Sequence, residues 1–247
     1  MSLFSIADLH LSLTVDKPMD KFGHRWTDYQ EKIEKRWRAV VTDDDTVIVP
    51  GDISWVIDLT ESLADLKFID SLPGKKIIGK GNHDYWWSTV TKMNAFFKEN
   101  GITTIDFLFN NAHETEDYII AGTRGWYVEE KLQVTENADY DKIVARENQR
   151  LEMSLREAMK LREAALGRGE DKPILVYFHF PPVFKHFRCQ EFIDTMNKYG
   201  VKNCYFGHIH SNYNIPKSTE TDGIMMTIIS ADYLDFIPMI TCPSDYQ

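Results

Sequence analysis

Two hydrophobic periods alternate along the chain. Short runs rich in β-branched and aromatic residues lie at Leu3 to Ala7, Thr46 to Val49, Lys75 to Ile78, Ile102 to Phe109, Tyr118 to Ala121, Ile174 to Phe178, Val201 to Phe206, Ile224 to Ile229 and Phe236 to Ile240. Many are continuously apolar, which predicts strands covered on both faces. Helical stripes lie between them. Trp26, Tyr29, Ile33, Trp37 and Val40 recur at helical spacing, as do Leu59, Leu63, Leu66 and Ile69 ahead of Pro73-Gly74. Ser88 is placed to cap a helix that presents Val90, Met93 and Phe97 and stops at Gly101. The longest stripe runs from Asp139 to Leu166, with Val144, Leu151, Leu155 and Met159 on one face. Its other face carries Glu152 and Arg156 at four-residue spacing, and Gly167-Arg168-Gly169 ends it. The pattern predicts an α/β fold with helices flanking sheet, and the strand-rich later part predicts a second packed sheet. Irregular connections are expected at Thr14 to Gly23 and over residues 123–138. Neither marks a boundary, so the chain reads as one domain over residues 1–247.

Composition narrows the class. With 247 residues, 43% apolar and 27% charged, the chain can bury a core without covalent staples. Its three cysteines (Cys189, Cys204, Cys242) have no close spacing. That excludes a disulfide scaffold or a cysteine zinc knuckle and fits a reducing, cytoplasmic location. No apolar run reaches membrane-spanning length, and Met1 to Asp8 lacks the form of a signal peptide. Lys and Arg total 28 against 38 Asp and Glu, a formal charge of −10. This balance disfavours a dedicated binder of long nucleic acid, which needs a basic footprint.

The residues that follow the strands carry the chemistry. In an open α/β sheet the carboxyl ends of the strands line the ligand crevice. Leu3 to Ala7 is followed by Asp8-Leu9-His10, and Thr46 to Val49 by Pro50-Gly51-Asp52. Lys75 to Ile78 is followed by Gly79-Lys80-Gly81-Asn82-His83-Asp84. Ile174 to Phe178 ends at His179, and Val201 to Phe206 at Gly207-His208-Ile209-His210. Five strands, and only five, end this way. Any one block is a common accident: Gly-Asp is a turn, and a histidine after an apolar run is commonly a core residue. All five at the same end of their strands are hard to explain by packing. Asp8, His10, Asp52, Asn82, His179, His208 and His210 offer two carboxylates, one amide oxygen and four imidazoles, a set suited to borderline divalent metals. Seven ligands exceed one ion's needs but suffice for two if a carboxylate bridges. Such a pair can activate water and clamp a phosphoryl group. In strand or its extension, residues i and i+2 point the same way, so each Asp/His-x-His pair is expected to reach one site.

This ordered series resembles the calcineurin-like metallophosphoesterase superfamily, over residues 8–210. The resemblance implies a four-layer αββα sandwich and two divalent or mixed-valence transition-metal ions of Mn, Fe or Zn. It implies Asp8, His10, Asp52 and His210 on the first ion. Asp52, Asn82, His179 and His208 would hold the second, with Asp52 bridging. A metal-bridging hydroxide would attack phosphorus in line, His83 would protonate the leaving group as general acid, and Asp84 would orient His83. The expected substrate is a small phosphomonoester or phosphodiester. Other branches fit less well. The protein serine/threonine phosphatases place Asp-Arg-Gly further on, whereas Ile53-Ser54-Trp55-Val56 follows Asp52. The purple acid phosphatases place a tyrosine where this chain has Trp55. Alternatives are a nuclease or cyclic-nucleotide phosphodiesterase, and a silent scaffold on the same fold, which would be expected to have lost ligands. Aromatics near the motifs (Tyr85-Trp86-Trp87, Trp126-Tyr127, Phe180, Phe184, Phe187) read first as packing, and Arg124, Lys185 and Arg188 as surface charge.

Overall fold

The computed structural model describes residues 1–17, 19–127 and 138–241. The connection expected at 123–138 therefore lies largely outside the described residues, as does Cys242. The first half runs β1 (Leu3–Ser5), α1 (Tyr29–Val40), β2 (Thr46–Pro50), α2 (Leu63–Ser71), β3 (Lys75–Gly79), α3 (Val90–Asn100) and β4 (Ile105–Phe107). The second runs β5 (His113–Glu114), β6 (Ile119–Thr123), α4 (Ala138–Gly167), β7 (Ile174–Phe178), β8 (Val183–Phe184) and β9 (Phe187–Arg188). It continues through α5 (Gln190–Lys198), β10 (Asn203–Phe206), β11 (Ser218–Thr221), β12 (Ile224–Ile228) and β13 (Met239–Ile240).

These strands form two mixed sheets. One has the order β13-β1-β2-β3-β4, with β13 alone antiparallel. The other has the order β11-β12-β10-β7-β6-β5, parallel at its centre and antiparallel at both edges. Alternation along the strands explains the layers. Phe4, Val47, Val49 and Ile78 face a core shared with Ile33 and Trp37 of α1, Ile69 of α2 and Phe97 of α3. Leu3, Ile48 and Ile77 point the other way, against Leu175, Tyr177 and Tyr205 of the second sheet. The far side of that sheet packs Val176, Phe178 and Phe206 against Leu151 and Leu155 of α4 and Phe192 of α5. The result is helices, sheet, sheet, helices. No helix among the described residues is long and apolar enough to cross a membrane.

Several expected boundaries move, each for a local reason. Trp26 sits in a short 3-10 turn before α1, and the cap of α3 is Thr89, whose side chain accepts from Lys92 N. On α4 the buried stripe passes through Ala158, not Met159, which is 39% exposed. Beside it Ser154 reaches across to donate to Asn111 O and accept from Gly122 N. The strand expected at Ile102 to Phe109 shortens because the Asp70 carboxylate takes the N–H groups of Thr103 and Thr104, and Asn111 takes that of Phe109. Phe236 is not in strand: it is buried in a turn with φ 59°, and Pro238, which has no N–H, precedes β13. Helix α5 and the hairpin β8–β9 are elements the sequence reading leaves unassigned.

One buried charge tests the packing. Lys76 on β3 is fully covered and donates to Leu72 O at 2.6 Å and Gly74 O at 2.8 Å. Burial pulls its pKa down to about 8. Between that value and the usual lysine value the unfolded chain holds a proton that the folded chain has lost, so stability rises with pH. Relative to Lys76→Met, the wild type is expected to gain up to about 1.4 kcal/mol per pH unit between roughly pH 8 and 10, measured by urea unfolding.

Candidate metal centre

All seven expected ligands converge where the carboxyl ends of the two sheets meet. Asp8, His10 and His210 form one cluster and Asp52, His179 and His208 another, with the donor atoms of each within 4.8 Å of one another. Asn82 joins the second, its Oδ1 lying 2.6 Å from His179 Nε2. Asp52 lies between the two: one oxygen is 3.6 Å from His10 Nε2, the other 3.6 Å from His179 Nε2. Each cluster draws on both sheets.

The local backbone differs from the extended geometry expected of Asp8-x-His10 and His208-x-His210. Strand β1 ends at Ser5 and β10 at Phe206. Asp8, His10, Asp52 and His208 all have positive φ, at 61°, 47°, 52° and 68°. Left-handed turns, not strand alternation, therefore aim these side chains. Such conformations persist only where the surroundings over-determine them. Close backbone approach is the second device. A Cβ on Gly81 would lie 2.1 Å from Asp52 Oδ1, and one on Gly207 would lie 2.6 Å from Asp8 Oδ2.

The electrostatics call for positive charge. Asp8 is fully buried, and burial pushes its pKa up to about 6 against the opposing pull of His210. Burial, then the charges of Asp8 and Asp84, drive Asp52 well above the carboxylate range. Burial and neighbouring imidazoles hold His10 and His179 well below their usual value, and His208 at about 3. His10 Nε2 and His210 Nε2 are only 3.3 Å apart. Asp52 Oδ2 and His179 Nδ1 are buried with no hydrogen-bond partner. Unpaired buried polar atoms are costly. Four imidazoles, three of them held toward the neutral form, and two carboxylates make up the donor set that borderline divalent cations take, so the residues fit a pair of such ions.

The model of the calcineurin-like phosphoesterase family matches residues 1–212. The chain belongs to that family. No curated protein sequence matches it. Among solved structures, this phosphoesterase is similar to the phosphopantetheinyl hydrolase of Mycobacterium tuberculosis, at 17% identity and TM-score 0.52, over 100% of this chain and 97% of that one. A protein of unknown function from Aquifex aeolicus matches at 15% identity and TM-score 0.44, over 97% of this chain and 95% of that one. At 17% identity the likeness to the hydrolase shows the fold alone.

Two features of the phosphoesterase's site depart from expectation. Asp84 does not orient His83. Its carboxylate accepts from the backbone N–H groups of Asp52, Ile53, Ser54 and Gly81 and from Trp86 Nε1, at 2.7 to 3.3 Å. It is a fully buried buckle joining the Gly51-Asp52 loop to the Gly81-Asn82 loop. The His83 ring packs instead on Trp55, with centroids 4.2 Å apart, and Trp55 also stacks on His10 at 4.9 Å.

The second departure is Asp232, a residue the sequence reading does not single out. Buried after β12, it takes His210 Nδ1 at 2.8 Å, Ser211 N at 3.0 Å and Tyr213 OH at 2.9 Å. Burial alone would lower the pKa of His210, but the Asp232 hydrogen bond and the charges of Asp8 and Asp232 outweigh it and raise it. A carboxylate behind a ligand histidine fixes the ring and its tautomer. The signal was present: Ile224 to Ile229 ends in Ser230-Ala231-Asp232, so a sixth strand follows the rule stated for five.

Asp84→Asn is expected to destabilise the fold by about 3 kcal/mol, because an amide N–H₂ meets donors already in place; urea unfolding measures it. Asp232→Asn is expected to weaken Mn²⁺ binding about 10–100-fold, read by calorimetric titration of chelator-treated protein.

Proposed function

We propose that this phosphoesterase is a two-metal phosphohydrolase acting on a small phosphomonoester or phosphodiester. The observation that carries the reading is the placing of Asp52, one oxygen toward each of two ligand clusters, beside a cavity that His83 lines. Asp8, His10, Asp52 and His210 would hold one ion, and Asp52, Asn82, His179 and His208 the other, with Mn, Fe or Zn suited to the donors. Bound there, the ions would neutralise charge on the phosphoryl oxygens and activate water.

The chain's own residues do the rest. Asp52 accepts from His83 N at 2.8 Å, which ties the acid's backbone to the ligand loop. His83 Nδ1 is buried, so Nε2 is the nitrogen left to give a proton to the departing oxygen. Burial and the charge of His210 lower the His83 pKa, which makes its protonated form a ready donor. A hydrolase on a similar fold, the M. tuberculosis phosphopantetheinyl hydrolase, supports the reaction class. The acidic total and the composition of the cavity favour a small ester over long nucleic acid, and a cytoplasmic enzyme is in keeping with buried, unpaired Cys189 and Cys204.

The test is hydrolysis of p-nitrophenyl and bis-p-nitrophenyl phosphate by chelator-treated protein titrated with Mn²⁺, Fe²⁺ or Zn²⁺. Activity is expected to saturate near two equivalents of metal and to fall by about 100-fold or more in Asp52→Asn, as the loss of an essential catalytic group requires. Tight metal binding with no turnover of either ester would overturn the reading.

A further inference from the structure

The cavity over the two clusters has a volume of about 590 Å³, a size that encloses a small molecule. Its apolar wall is made largely of rings. Phe22, in the 3-10 turn Met19–Phe22, is 62% exposed and packs into no core, yet it lines this cavity. Trp55 lines it too, held by an indole N–H directed at Met19 Sδ, 3.3 Å away. Tyr127 and Phe184 are further lining residues. Among the described residues, the polar side chains of the lining beyond the imidazoles and Asp52 are Tyr127, Ser211, Asn212 and Lys185.

Among the described residues Lys185 is the lysine or arginine of this lining, and its placement is built. The hairpin β8–β9 follows His179 closely and turns at Lys185-His186, with Lys185 at φ 53°. Its ammonium lies 5.4 Å from the Phe184 ring centroid. Arg188 pairs with Asp222, and Arg124 with the buried Glu147 at 3.6 Å. Among the described residues Lys185 has no carboxylate partner.

We infer that the cavity selects a phosphate ester whose leaving group is an aromatic ring bearing one anionic group, the ring against Phe22 and Trp55 and the anion on Lys185. The inference rests on the phosphohydrolase reading above. A polyhydroxylated leaving group would bury hydroxyls against the rings of Phe22, Trp55 and Phe184, and unpaired polar groups cost binding. Among the described lining residues a polyanionic one would find a single lysine. An aromatic monoanion satisfies both the rings and the charge.

The experiment compares kcat/KM of the Mn²⁺-loaded protein on 4-carboxyphenyl phosphate, phenyl phosphate and glycerol phosphate. A para-carboxylate scarcely alters phenol as a leaving group, so the ratio of the two aryl esters reads recognition. The expected order is carboxyphenyl over phenyl over glycerol, about tenfold at each step. Lys185→Ala is expected to cut the carboxyphenyl-to-phenyl ratio about tenfold and Lys185→Glu to invert it, while Phe22→Ala raises KM for both aryl esters. Quenching of tryptophan fluorescence by phenylphosphonate and 4-carboxyphenylphosphonate gives a readout that needs no turnover. If no ester is hydrolysed but the carboxylated phosphonate still binds tighter through Lys185, the phosphohydrolase reading fails and the selectivity stands. If esters are hydrolysed but glycerol phosphate is preferred, or Lys185→Ala leaves the ratio and both phosphonate affinities unchanged, the selectivity is wrong.

Discussion

Two buried carboxylates, Asp8 and Asp52, stand among four imidazoles at the floor of a cavity, and the rest of the molecule is arranged around keeping them there. Left alone, such a group pushes its acids toward neutral and His10, His179 and His208 toward uncharged, while the Asp232 carboxylate behind His210 raises that one ring. Positive charge between the clusters reverses this logic. The scaffold must hold the donors close before any ion arrives, against their mutual repulsion. It does so with backbone. Left-handed turns at four ligands aim the side chains, glycines at 81 and 207 let chains approach, and the Asp84 buckle locks two ligand loops together.

Because each cluster takes ligands from both sheets, the site's geometry is a property of the sheet–sheet interface. Asp8 and His10 leave β1 while His210 leaves β10, and Asp52 leaves β2 while His179 leaves β7. A slide of one sheet on the other would separate every pair. The inner layer resists that slide in two ways. Leu3, Ile48 and Ile77 interdigitate with Leu175 and Tyr205, and close packing tolerates little shift. Ser5 Oγ then lies 2.9 Å from Tyr177 OH and 2.7 Å from Thr241 Oγ1, a buried hydroxyl network that spans the sheets. Directional bonds in an apolar layer fix register where dispersion alone would not.

The candidate ligands were legible in the sequence because chemistry at strand ends leaves a local mark: an apolar run, then Asp, Asn or His. The helices of the first half and the long α4 were legible because each buries one stripe. What was not legible depends on contacts distant in sequence. Nothing in Asn82-His83-Asp84 says that four backbone N–H groups, three of them some thirty residues earlier, will converge on the third residue and leave the second to an indole. Strand alternation explained Asp8 and His10 sharing a site, yet the strands stop short and turn geometry does the aiming. Helix α5 escaped notice because nine residues give a stripe of only Phe192, Ile193 and Met196.

The acidic balance of the chain takes on a different meaning beside this site. A charge of −10 disfavours a phosphate-bearing partner only if it is spread where the partner must approach. Asp8 and Asp52 are buried and aimed at the space between the clusters; Asp84 and Asp232 are buried and spent on backbone N–H groups and His210. Two divalent ions would more than offset the first pair where a phosphoryl group arrives. The outer cavity, by contrast, offers rings, Ser211, Asn212 and, among the described residues, a single lysine. Attraction for anions is thus concentrated at the floor and thin at the mouth. A long polyanion gains little from that distribution, whereas a compact ester gains most of what the cleft can offer.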